Sequence, residues 1–209
     1  MTHTLHREGS VEALSKDYIV FAIASKGVNT EGSKEKLQKI FNIFQRHHPL
    51  NTGTAKAGSM FSLGSTAAVY DAIVDNEVVH GVFDSQATLV EVLRELKQED
   101  LGLSIVVSGL SDHVCKCARE AGLEPHSSAQ SLGIWGKTDL LPEPKVLEIA
   151  TMCGHGLTSF TLIRELAKSV KDGSMTAEEA ARRLAEPCVC GVFNPQRAAV
   201  LIQEIAADL

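Results

Sequence analysis

The sequence predicts an α+β protein: a ferredoxin-like βαββαβ sandwich followed by a helical C-terminal segment carrying a Cys/His cluster. Three observations carry that prediction. In the first half of the chain, short runs rich in β-branched and aromatic residues alternate with runs whose apolar residues recur at helical spacing. Their order, β-α-β-β-α-β, is that of the split βαβ arrangement. Past residue 139 the pattern turns helical, with cap signals following one another closely.

Residues 1–16 are polar and read as a peripheral segment. Tyr18-Ile19-Val20-Phe21-Ala22-Ile23-Ala24 is a compact apolar run, the signature of a buried strand. Ser25 to Gly32 has loop composition. It sits between strand and helix, as a phosphate loop would, but lacks both the Gly-Lys-Ser/Thr ending and G-x-G-x-x-G, so it reads as a connection. From about Ser33, the apolar residues Leu37, Ile40, Phe41 and Phe44 mark a helix ending near His47-His48-Pro49.

Asn51 to Thr66, rich in Gly, Ser and Thr, reads as a long loop able to close over a ligand. The runs 67–74 and 78–83 flank Asp75-Asn76-Glu77 and predict a hairpin. Leu89, Val92, Leu93 and Leu96 give the next helix its apolar face, and Leu103–Val107 is a further strand. A helix over Asp112–Ala121 follows, then a short segment at Ser131–Trp135, with Trp135 expected in the core. Val146–Thr151 reads as a short strand. The boundary between a sandwich domain, 1–139, and a helical segment, 140–209, is soft, and one domain would also accommodate both.

The C-terminal elements have strong local signals. Phe160, Ile163, Ala167 and Val170 form a stripe within a helix over Leu157–Lys171, with Ser159 or Thr158 as its cap. Asp172-Gly173-Ser174-Met175 is a turn, and Thr176-Ala177-Glu178-Glu179 fits a capping box. Pro187 requires the second helix to stop before it. Asn194-Pro195 starts a last helix that buries Ala198, Leu201, Ile202 and Ile205.

A short turn makes the first two helices antiparallel neighbours. The chain then returns at Pro187 close to where the hairpin began. Two chelating steps therefore meet: Cys153-Gly154-His155 and Cys188-Val189-Cys190, which are 32 residues apart. Both lie in irregular backbone, where residues i and i+2 can turn toward one ion. In a helix they point apart. Zinc would take Cys153, His155, Cys188 and Cys190 as a tetrahedral Cys3His site, and an iron–sulfur cluster would accept the thiolates. The two steps are similar to those of SWIM-type zinc modules, in reverse order. That resemblance covers these four residues and implies that such steps chelate zinc.

Two other readings use the same residues. Read as strand, sharp turn and helix, 146–157 has the shape of a nucleophile elbow without the Gly-x-Ser-x-Gly pattern. Cys153 would then be the nucleophile of a metal-free thiol enzyme and His155 its base. Backbone N–H groups of Gly154 to Leu157 would bind a small anionic ligand. In the other reading the cysteines simply pack, and the chain is an interaction protein.

Cys115-Lys116-Cys117 repeats the two-residue step inside a predicted helix, where the thiols diverge, so Cys117 is assigned to packing. His47, His48, His80, His113 and His126 are read as structural or surface residues.

The remaining bulk properties exclude function classes. The chain has 209 residues, 44% of them hydrophobic and 22% charged, enough for a sizeable core. A formal charge of −6 and 5% aromatics exclude general nucleic-acid affinity and a base-stacking platform. Without a membrane-spanning run or a signal-like start, and with five cysteines and no need of a disulfide framework, the chain is expected in the cytoplasm.

Overall fold

The computed structural model describes residues 4–209. It is α+β: a five-stranded antiparallel sheet with helices on both faces. The strands are β1 (Tyr18–Ile23), β2 (Asn51–Thr54), β3 (Gly58–Ser59), β4 (Val78–Phe83) and β5 (Ser104–Ser108), in the order β3-β2-β4-β1-β5. β1 and β4 are central, paired from Tyr18↔Phe83 to Ile23↔Val78.

Tyr18 to Ala22 are all buried, which requires cover on both sides of the sheet. Tyr18, Val20 and Ala22 point to one face. They join Leu37, Phe41 and Phe44 of α2 (Ser33–Arg46) and Leu89, Val92 and Leu93 of α4 (Gln86–Glu99). Ile19, Phe21 and Val82 point to the other face. There they meet α6 (Pro144–Met152), α7 (Phe160–Lys171), α8 (Ala177–Ala185) and α9 (Pro195–Asp208) through Ile149, Ile163, Leu184 and Ile202. Each of these four side chains is fully buried. At about 1.5–3 kcal/mol per buried aliphatic side chain, this second layer is a full core.

Several elements differ from expectation. Most of the 67–74 run belongs to a helix, α3 (Thr66–Ala72), rather than to a hairpin strand. The Ser65 hydroxyl accepts from the Ala68 N–H at 3.1 Å, and Ala67-Ala68 supplies good helix formers for the first turn. β4's partner is instead β2, which lies in the stretch read as a loop. That strand is hidden from hydropathy because its buried residues are polar: Asn51 Nδ2 donates to Phe193 O at 3.0 Å and the Thr52 hydroxyl to His80 O at 2.6 Å.

Residues 146–151 are helical, within α6. Pro144 begins that helix, and Val146, Ile149 and Ala150 are buried at i, i+3, i+4 spacing. Trp135 is 81% exposed, on a stretch without a packed layer beneath it. The polar N-terminal segment is not peripheral from Arg7 onward. It carries a short helix, α1 (Val11–Leu14), and its Arg7 side chain is buried against Asp17. Gly9 lets this segment pass: a Cβ there would stand 2.2 Å from Arg197 Nη2.

The C-terminal hairpin has the expected form. Ser159 caps α7 by accepting from the Leu162 N–H at 3.2 Å. Thr176 and Glu179 form a reciprocal capping box on α8. Asn194 caps α9 by accepting from the Arg197 N–H at 3.0 Å.

Candidate metal centre

Both cysteine segments begin where a helix stops. α6 ends at Met152, and Cys153 leaves the helix with φ −97° and ψ 92°. The Gly156 N–H donates to Cys153 O at 2.9 Å, and Gly156 has φ 69°. After α8, Cys188 N–H donates to Ala185 O at 3.1 Å. The Gly191 N–H then donates to Cys188 O at 2.8 Å, and Gly191 has φ 71°. The two segments thus share one form: cysteine, spacer, second soft ligand, left-handed glycine, with the turn closed from glycine to cysteine.

The hairpin brings them together as its geometry requires. Thr158, at its start, donates its hydroxyl to Leu184 O, near its end, at 3.1 Å. The four side chains form a continuous series. Cys153 is hydrogen-bonded to Cys188. Cys188 Sγ lies 3.9 Å from Cys190 Sγ, and Cys190 Sγ lies 3.6 Å from His155 Nδ1. Cys153, Cys188 and Cys190 are all buried, at 5% exposure or less. Among the described residues, no group of three or more His, Cys, Asp or Glu side chains is arranged so that it could hold a metal ion.

Electrostatics divides the roles of Cys153 and Cys188. The Cys153 thiol is lowered to about 5, chiefly by the hydrogen bond from Cys188. Burial opposes this, while backbone N–H groups of Leu157, His155 and Thr158 reinforce it. Cys188 is raised by the same bond, by Cys190 and by burial. The anion is therefore at Cys153 and the proton at Cys188. Of the backbone donors expected to receive a small anionic ligand, those of His155 and Leu157 go to the Cys153 sulfur and that of Gly156 goes to Cys153 O.

One neighbour, read from the sequence only as a structural or surface residue, lies beside the cysteine segment. His80 is 1% exposed and packs 5.8 Å from Phe21 between ring centroids. A Cβ on Gly191 would stand 3.0 Å from His80 Nε2 and 2.6 Å from Ser59 Cβ. The cysteine segment therefore lies flat against β3 and β4. Strand parity held the signal: His80 pairs with Phe21 and shares a face with Val82, the face the C-terminal helices cover.

The other candidates fall elsewhere. Cys115 and Cys117 are on α5 (Ser111–Glu120), where the Cys117 thiol donates to Gln86 O at 3.7 Å. His113 meets the Tyr18 hydroxyl at 2.8 Å, and His47 meets Glu95 at 2.8 Å. The strand–turn–helix context of a nucleophile elbow is absent at Cys153, because the preceding element is helix α6.

No family model, curated protein or solved structure matches the chain. No helix among the described residues is long and apolar enough to cross a membrane.

Proposed function

We propose that this chain is a cytoplasmic zinc protein whose Cys153, His155, Cys188 and Cys190 hold one ion as a Cys3His site. The spacing of the soft atoms carries the reading. Zinc bonds of about 2.3 Å to sulfur and 2.0–2.1 Å to nitrogen, at tetrahedral angles, imply edges of about 3.8 Å for S···S and about 3.5 Å for S···N. The Cys188–Cys190 and Cys190–His155 separations, 3.9 Å and 3.6 Å, are close to those edges. Such short edges suit a single ion. The thiolates of a cubane cluster bind different irons and stand further apart.

Four protein ligands make a closed structural site. The ion would tie the α6–α7 connection to the α8–α9 connection and fix both against the sheet. The finer fold assignment belongs to the same reading. The positions of β4 between β1 and β2, and of β1 between β4 and β5, support a ferredoxin-like assignment of interleaved split βαβ units.

The low position of the Cys153 thiol favours a second reading, a thiol enzyme with Cys153 as nucleophile and His155 as base. At 1% exposure, however, that sulfur offers a substrate no approach without movement of its loop.

Elemental analysis with a visible spectrum, on untagged protein purified anaerobically, separates the readings. One zinc per chain and no colour is the expected result. Metal-free protein with a rapidly alkylated Cys153 would establish the thiol enzyme, and broad absorption with iron would establish a cluster.

A further inference from the structure

Arg7 is remote in sequence from both cysteine segments, yet its guanidinium bridges them. Its side chain is 5% exposed. Nη2 donates to Met152 O at 3.2 Å and also to Val192 O. Met152 immediately precedes Cys153, and Val192 follows Gly191 at the end of the second segment. One cation thus grips the main chain of both ligand arms. It also occupies a helix C-terminus, because Met152 is the last residue of α6 and its carbonyl has no partner within the helix.

Arg7 is itself held. Its Nη1 pairs with Asp17, whose side chain is fully buried. Asp17 also pairs with Arg197 Nη1 at 3.1 Å and accepts from Asn194 Nδ2 at 3.2 Å. Arg197 continues to Glu148 at 3.0 Å and to Glu8 O. The N-terminal segment is therefore tied by buried charge to α6 and α9 at once. A planar fork that serves two carbonyls and a carboxylate has no equivalent in lysine, a point charge on a flexible stem.

We infer that Arg7 is the positioning residue of the metal site, fixing the separation of its two arms before the ion arrives; this rests on the zinc reading above. With Arg7 in place, the cost of ordering the arms falls on folding. Without it, that cost falls on metal binding. Asp17 retains Arg197 in an Arg7 variant, so no buried carboxylate is stranded.

The test is zinc affinity of the full chain, measured by competition with a chromophoric chelator, for wild type, Arg7→Met and Arg7→Lys. Val90→Ala, in the core on the other sheet face, serves as a control for general destabilisation. Loss of an outer partner of a metal site weakens affinity about 10–100-fold, and Arg7→Met is expected in that range. Arg7→Lys falls between it and wild type, and Val90→Ala binds as wild type does. Cobalt-loaded Arg7→Met should also show shifted d–d bands. If Arg7→Met does not fold, Arg7→Lys carries the test by its own loss of affinity. Wild-type affinity in the folded Arg7 variants would overturn the inference while leaving the zinc reading intact. A wild-type protein that takes no zinc would overturn both.

Discussion

Cys115-Lys116-Cys117 and Cys188-Val189-Cys190 are the same three-residue step set in two kinds of backbone. On α5 the step is helical, Cys117 turns inward to Gln86 O, and Cys115 remains half-buried beside it. After α8 the step is a turn closed by Gly191, and the two sulfurs stand 3.9 Å apart. The two cysteines and their spacing are equal. What differs is whether the chain can bend, and behind that whether a glycine with φ 71° and a proline stop precede or follow the step. A chelating motif is therefore a property of the backbone as much as of its ligands.

The strongest way to break this comparison is to exchange the roles. Cys188→Ser or Cys190→Ser should lower zinc affinity on the order of 100-fold or more, about 3 kcal/mol. Cys115→Ser and Cys117→Ser should leave it unchanged in the same chelator competition. Equal losses from both pairs would remove the distinction.

The two glycines sharpen it next. Gly191→Ala must take a left-handed backbone at roughly 1–2 kcal/mol and overpack Ser59 and His80 at about 1–3 kcal/mol. Gly156, with φ 69°, has open space around it, so Gly156→Ala should cost only about 1 kcal/mol. Urea unfolding of both variants reads the contrast. Thr158→Val, which removes the bond to Leu184 O, should cost about 1 kcal/mol by the same measurement.

The metal-free protein should also show a pH dependence between pH 5 and pH 9 that is carried by the second region. Cys153 ionises at about 5 in the fold against 9.0 for an ordinary thiol. A depressed group contributes stability that is complete above 9.0 and is lost as pH falls toward 5. Cys188 is raised, so its contribution is present below 9.0 and is lost above it. Stability should therefore climb from pH 5 toward pH 9 and then decline. Cys153→Ser should flatten the climb, and Cys117→Ser should not. Chemical unfolding at a series of pH values checks both.

The legible parts of the sequence were those written in local chemistry. The capping box at Thr176, the Ser159 and Asn194 caps and the stop at Pro187 each act within a few residues, and they define the hairpin that aligns the cysteine segments. β2 was not legible, because Asn51 and Thr52 are buried through side-chain hydrogen bonds to Phe193 and β4, and Thr54 through one from the Ala57 N–H, rather than through apolar side chains. The 146–151 run was misread because six residues of mixed β-branched and helix-forming type fit either period, and only Pro144 marks a helix start. The roles of Arg7 and His80 beside the cysteine segments were hidden for a different reason. The carbonyls that Arg7 bridges are 145 and more residues away, and the segment against His80 lies across the sheet face, so no window of sequence contains both members.

Zinc-edge X-ray absorption on the purified full chain tests the central claim most directly. One zinc per chain is expected, with three sulfur neighbours at about 2.3 Å and one nitrogen at about 2.0 Å. A zinc shell without sulfur, or folded protein without zinc, would contradict it.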